Sequence, residues 1–361
     1  MAVLLATAPV GACDVDVGQW GVAANPAEAL ASRRWFGDRF VGVDEWAVVI
    51  CRVPSGIVTP TYEPIPDRLG IGANEIVERL AGVTDYFERW SRGRYRPEFR
   101  AGADVSITVD ETDQDCVERA LDAEGSDVDG VLVVADAQHR EDVPGGWGRP
   151  GRSCLVECPA SATRRAAYVG AADFFEPESP PLDLVEHEMG HALDWPHSNL
   201  TDETFDRGVY DSPFDLMSDT TAGRDFDPTV RHAPGPLAVD LFAAGWLDDD
   251  EVRVVADDSS QVLVPADSGD EGVRLLVVST ATSLWTVEVI AARGDNVHLE
   301  RDQVVVHRVT LGASGETGVV RRQILAASEL GDGSEFVGDD LSVSVLEVDA
   351  ERWTVRVQIA R

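Results

Sequence analysis

Val185-Glu186-His187-Glu188-Met189-Gly190-His191-Ala192-Leu193-Asp194-Trp195-Pro196-His197 is the stretch on which the reading of this 361-residue chain turns. His187 and His191 are four residues apart, so on a helix their imidazoles project from one face and can share a metal ion. Glu188, next to a ligand, reaches a metal-bound water in this spacing and can take its proton. From the chain's own His and Glu content, His-Glu-x-x-His arises by chance in about one chain in a hundred. A third His six residues later lowers that chance roughly fiftyfold on the same estimate. A continuing helix would point His197 away from the metal, so the chain must turn sharply after Leu193. The residue at the turn must tolerate a positive φ, and Asp194 does so better than most residues other than Gly. Pro196 then keeps the helix from resuming. A carboxylate, from Glu203 or Asp194, stays open as the third ligand in place of His197, because zinc accepts carboxylate oxygen.

Met217 follows His197 by twenty residues, within Tyr210-Asp211-Ser212-Pro213-Phe214-Asp215-Leu216-Met217-Ser218, in a chain with three Met in all. With these residues the sequence resembles the metzincin zinc peptidases, in which a Met-turn lies beneath the metal site. The run Pro213 to Ser218, followed by Leu241-Phe242-Ala243-Ala244-Gly245-Trp246-Leu247, is similar to secreted microbial peptidases related to gametolysin and immune inhibitor A. It departs from the metzincin pattern at Asp194, where His-Glu-x-x-His-x-x-Gly-x-x-His has Gly. The resemblance implies a zinc endopeptidase with His187, His191 and His197 as metal ligands, Glu188 as general base and Met217 as the Met-turn residue. It also implies a protein or peptide substrate, bound in extended form along a sheet edge by main-chain pairing. The segment Gly145–Gly151 and its neighbours are the expected place. Tyr210 could reach the site or merely pack.

Outward from the motif, Trp46 to Val53 is a β-branched apolar run closed by Pro54-Ser55-Gly56 and reads as a buried strand. Residues 74–92 read as an amphipathic helix, with Ile76, Leu80, Val83, Phe87 and Trp90 at helical spacing. A strand over 103–109, a helix over 112–123 and a strand over Gly130–Ala135 follow, which implies a mixed or parallel sheet covered by helices. Gly145–Gly151 reads as a loop by composition, and Tyr168–Gly170 as part of a further strand. Beyond Asp248 short alternating segments recur, at Val252–Val255, Gln261–Val264, Val273–Ser279, Leu284–Ala291, Gln303–Leu311, Leu341–Val348 and Trp353–Ile359. They read as an antiparallel β-sandwich. The expected fold class is α+β: residues 44–248 as a metzincin-like catalytic domain and 249–361 as the sandwich, whose role stays open. His139, His232, His298 and His307 lie outside the motif and are expected on the surface or in packing.

Residues 1–13, apolar and uncharged, are expected to be the remnant of a signal, and Val10-Gly11-Ala12-Cys13 resembles a lipobox; 14–43 would be a lead-in or tether. Lipidation of Cys13 would tether the protein to a membrane, and a secreted or cell-surface location is expected. The remaining Cys51, Cys116, Cys154 and Cys158 allow two disulfides in one of three connectivities. Cys154 and Cys158 lack a second Cys pair to complete a zinc site. The formal charge is −35, and all 30 basic residues are Arg. Such acidity repels polyanions, so nucleic acid is not an expected partner; a salt-rich habitat and a simply well-solvated surface both account for it. A monomer is expected.

Overall fold

The computed structural model describes residues 40–54, 62, 67–140, 145–151, 164–175, 180–280, 283–314 and 318–360. Cys13, Cys154, Cys158 and residues 1–39 lie outside them. The chain has a mixed α/β fold with several sheets. Its first half is built on β1 (Gly42–Arg52), α1 (Ala73–Arg79), α2 (Ala81–Trp90), β2 (Tyr95–Ala101), β3 (Val105–Ser106), α3 (Asp113–Glu124), β4 (Gly130–Ala135), β5 (Gly146–Arg149) and β6 (Arg165–Val169). The strands run in the order β2-β1-β4-β6-β5, with β3 beside β1. All pairings are parallel except that of β5 with β6. Parallel strands covered on both faces need unbroken apolar runs, and Trp46 to Cys51 are fully buried.

Three differences from the sequence reading have physical causes. The helix expected over 74–92 is divided at Leu80, which caps α1 and opens α2 while the apolar stripe continues through it. The strand expected over 103–109 shrinks to Val105–Ser106, and the longer β2 lies upstream. Its alternating Arg96, Glu98 and Arg100, together with Pro97, disguise a strand that sits at the sheet edge, where Pro is tolerated. Gly145–Gly151, expected as a loop, holds β5.

The middle of the chain carries α4 (Asp183–Ala192), β7 (Ser198–Asn199), α5 (Asp202–Asp206), α6 (Ala222–Phe226) and α7 (Ala238–Ala244). The remainder is β-rich: β8 (Val252–Val255), β9 (Ser259–Leu263), β10 (Leu275–Ser279), β11 (Leu284–Ile290), β12 (Gln303–Ser314), β13 (Gly318–Leu330), β14 (Glu335–Val337), β15 (Leu341–Asp349) and β16 (Arg352–Ile359). They form a six-stranded sheet, β7-β13-β12-β11-β10-β8, and a four-stranded sheet, β14-β15-β16-β9. The larger sheet is not purely antiparallel as expected, since β8 pairs with β10 and β7 with β13 in parallel.

Among the described residues three apolar cores fix the layers. One lies between α3 and the first sheet, and another between the two later sheets. The third joins the other face of the first sheet, helices α1, α2, α4 and α7, and residues Leu275, Val277, Ile290, Val305 and Val309 of the larger β-rich sheet. The α4 helix therefore packs, through Val185, Met189 and Ala192, into a core to which both halves of the chain contribute. Among the described residues no helix is long and apolar enough to cross a membrane.

Cys51 of β1 and Cys116 of α3 form a disulfide across 65 residues, and both are fully buried. Closing so long a loop removes chain entropy from the unfolded state, by about 4 kcal/mol on the polymer estimate. Replacing both by Ala should lower unfolding stability by roughly 2–4 kcal/mol in urea titration. His307, fully buried on β12, has neither ring nitrogen hydrogen-bonded among the described residues, and burial pushes it from 6.5 down to about 4. Unfolding lets it take up a proton below about pH 6.5, so its contribution is intact above that pH and lost as pH falls toward 4. The intact protein should lose about 3 kcal/mol more than His307→Leu across this window, read from denaturation midpoints.

Candidate metal centre

The α4 helix ends where the motif requires. Leu193 is its last half-helical residue, and Asp194 turns left-handed with φ +68°. The Trp195 amide donates to the Gly190 carbonyl at 3.0 Å and the Asp194 amide to the His191 carbonyl at 2.9 Å. This pair of bonds is a Schellman termination, which normally has Gly at the left-handed position. Trp195 is buried, 5.2 Å from the Trp246 ring and 6.2 Å from Phe87. The turn is thus anchored in the core, and the chain that leaves it comes back across the histidine face.

His187, His191 and His197 are brought together by this turn. Their candidate ligand atoms all lie within 4.8 Å of one another. His187 Nε2 is 3.3 Å from His197 Nε2, and His191 Nε2 is 2.8 Å from it. Three nitrogens on a tetrahedral ion at the usual zinc distance stand about 3.4 Å apart, so the first separation matches and the second is tighter by roughly half an ångström. The protein also fixes the tautomers. His187 Nδ1 donates to the Leu216 carbonyl at 2.8 Å, and His191 Nδ1 to the Trp195 carbonyl at 2.9 Å. A carbonyl can only accept, so each Nδ1 carries the proton and each Nε2 faces the centre with a free lone pair. Burial holds His187 at about 4. Burial and the adjacent His187 hold His197 at about 3, and His191 is driven well down by burial and both neighbours. Three neutral, convergent imidazoles fit a metal ion. Glu203 is exposed and pairs with Arg207.

Glu188 is buried on the same helix, and its Oε2 has no hydrogen-bond partner among the described residues. Burial pushes its carboxyl well above the ordinary range. It lies against β5: a methyl group on Gly146 would come within 2.8 Å of Glu188 Oε1, and one on Gly148 within 1.9 Å of the Glu188 carbonyl. Period-two alternation puts both glycines on the helix-facing side. On the other side Trp147 stacks on Tyr168 at 5.9 Å and Arg149 pairs with Glu118 at 2.6 Å. The Gly-Trp-Gly-Arg alternation was the available signal for this strand, hidden because glycine usually marks a turn.

Met217 is fully buried under α4, where a methyl group on Gly190 would come within 2.5 Å of its Sδ. The carbonyls of two successive residues in this turn hold the site: Leu216 accepts from His187, and Met217 accepts from the Ser198 amide, next to His197, at 3.2 Å. Tyr210, half exposed, stands with its ring 4.5 Å from His197 and 6.0 Å from His187. Its hydroxyl is raised by burial and then by Glu188. Three of the other histidines have partners outside the candidate group. His232 pairs with Glu186 at 2.6 Å, His298 donates to the Pro213 carbonyl, and His139 bonds the Tyr168 hydroxyl.

Comparison with protein-family models and with curated proteins gives no match. Among solved structures the chain is similar to metalloproteinase-II from Bacteroides fragilis, with 13% identity and a TM-score of 0.30. The likeness covers 61% of this chain and 59% of that one. It is too slight to carry an argument, and the assignment below rests on the geometry of the site.

The β5 glycines are required by the closeness of α4. Gly148→Ala must displace backbone and should lower metal affinity at least tenfold, measured by chelator competition, together with stability. Gly145→Ala meets only the end of the Leu184 side chain, at 3.2 Å, and should leave both within twofold of the intact protein.

Proposed function

We propose that the chain is a zinc-dependent endopeptidase of the metzincin type, in which His187, His191 and His197 hold the ion and Glu188 is the general base. The observation that carries this reading is the convergence of three neutral imidazoles, two of them with tautomers fixed by backbone carbonyls, beside a buried carboxylate whose Oε2 has no partner among the described residues. A zinc ion held by His187, His191 and His197 would supply Lewis acidity toward a carbonyl and toward water. Glu188 Oε2 takes the water's proton and returns it to the leaving amine.

The substrate is a peptide in extended form. β5 ends its sheet beside Glu188, and its main chain offers pairing to an incoming strand, a general mode of peptide recognition. A buried Met217 supports the zinc helix from below, which accords with the Met-turn reading. The disulfide accords with an exported protein, since such bonds persist outside the reducing cytosol.

The test compares zinc content and casein hydrolysis in the intact protein and in Glu188→Gln. About one zinc per chain in both is expected, with hydrolysis reduced by roughly 10²–10⁴ in the variant. Zinc in both with hydrolysis in neither points to a binding protein with an inert centre or to a non-peptide substrate. Intact protein purified without zinc and unable to take it up overturns the proposal.

A further inference from the structure

The segment that brings in His197 does not belong to the first sheet. Immediately after the third histidine, Ser198 and Asn199 form β7 and pair in parallel with Gln323 and Ile324 of β13. The next element, α5, is held by side chains of the same β-rich sheet. Arg308 of β12 pairs with Asp202, and Arg322 of β13 reaches Asp206 at 2.9 Å, Asp202 Oδ1 at 3.2 Å and the Asp202 carbonyl at 3.0 Å. The excursion then closes on itself, with Asn199 Nδ2 donating to the Val209 carbonyl and the Leu200 amide donating to Asp211 Oδ1 at 2.9 Å. Tyr210, whose ring lies 4.5 Å from His197, sits between those two latches. His298, in the connection between β11 and β12, donates to the Pro213 carbonyl at 2.6 Å ahead of the Met217 turn.

From these contacts we infer that the β12–β13 hairpin is a positioning device for the metal centre, with Arg308 and Arg322 as its positioning residues. The hairpin fixes residues 198–211 and thereby aims His197 and holds Tyr210 over it. The inference rests on the metal-site reading above. Its logic is that of an outer shell: a group that orients a ligand changes metal affinity without touching the metal. Exposed ion pairs contribute little to global stability, so loosening this clamp acts chiefly on the segment it restrains.

The experiment uses the full chain with Arg308→Gln and Arg322→Gln together. Four quantities are compared with the intact protein: amide hydrogen exchange of the metal-free forms, their melting midpoint, zinc affinity by chelator competition, and the visible spectrum of the cobalt(II) forms. Expected are faster exchange confined to about residues 198–211, zinc affinity reduced about tenfold, an altered cobalt spectrum and an unchanged melting midpoint without metal. Asp202→Asn with Asp206→Asn should reproduce these changes. Combining all four should add little further, because both pairs remove the same interaction. Should the arginine variant fail to fold, the aspartate variant, altered only at exposed positions, carries the same comparison. Unchanged exchange over 198–211 overturns the clamp. Faster exchange with unchanged zinc affinity and cobalt spectrum overturns its positioning role, leaving a structural one. An intact chain that binds no zinc overturns the metal-site reading itself, and with it any positioning of a metal ligand.

Discussion

The left-handed turn at Asp194 is the constraint on which the rest of the site depends. Two histidines four apart on one helix define a line and not a site, and a third group must arrive from elsewhere. The Schellman bonds at Gly190 and His191 stop the helix within one residue, and the buried Trp195 keeps the turn from relaxing. An aspartate at φ +68° is strained relative to glycine. It is retained where the surrounding core over-determines the conformation. Once the chain has turned, the Trp195 carbonyl lies where His191 needs an acceptor, so one backbone reversal both delivers the third imidazole and orients the second.

The helix is equally constrained from its flanks. β5 approaches it so closely that only glycine fits at 146 and 148, and Met217 presses on Gly190 from the opposite side. The missing side chains of Gly146 and Gly148 on one side, and of Gly190 facing Met217 on the other, let α4 approach its neighbours more closely than ordinary side chains allow. This closeness explains why Glu188 Oε2 is buried without a partner among the described residues: the strand that covers it contributes no side chain on that face.

The grouping of the candidate ligands was more legible in the sequence than its setting. The histidine spacing, the need for a positive φ at Asp194 and the nearby Met217 are local features, and local spacing survives into the fold. The covering strand β5 was not legible because glycine signals turns in most contexts, whereas here it serves close packing. β2 was hidden by Pro97 and alternating charges, which are permitted at an edge. β13 is disguised by its Arg321-Arg322-Gln323 run, which has the composition of solvated surface. In the structure Gln323 is fully buried and Arg322 pairs with α5. The change of texture after Asp248 was clear, but not that residues on both sides of it share one core.

That shared core has a polar seam, which bears on how the two halves find one register. Asp215, Asp240 and Glu288 are all buried where the larger sheet meets α7 and the Met217 turn. Glu288 accepts from the Ala238 amide at 2.8 Å, and the Gln323 amide donates to Asp240 at 3.2 Å. Three buried carboxylates would be prohibitive if all were ionised. Burial, then mutual repulsion, raises Asp215, and burial above all lifts Glu288 to about 8, so at neutral pH Glu288 is held mainly as the neutral acid. An apolar seam would bury more surface but would tolerate sliding of the sheet over α7. A slip of one residue along β11 or β13 would turn Glu288 or Gln323 to the opposite face and leave its partner's polar atoms buried and unmet. The seam therefore specifies the alignment of β13 with the core, and β13 is the strand to which the segment following His197 is added.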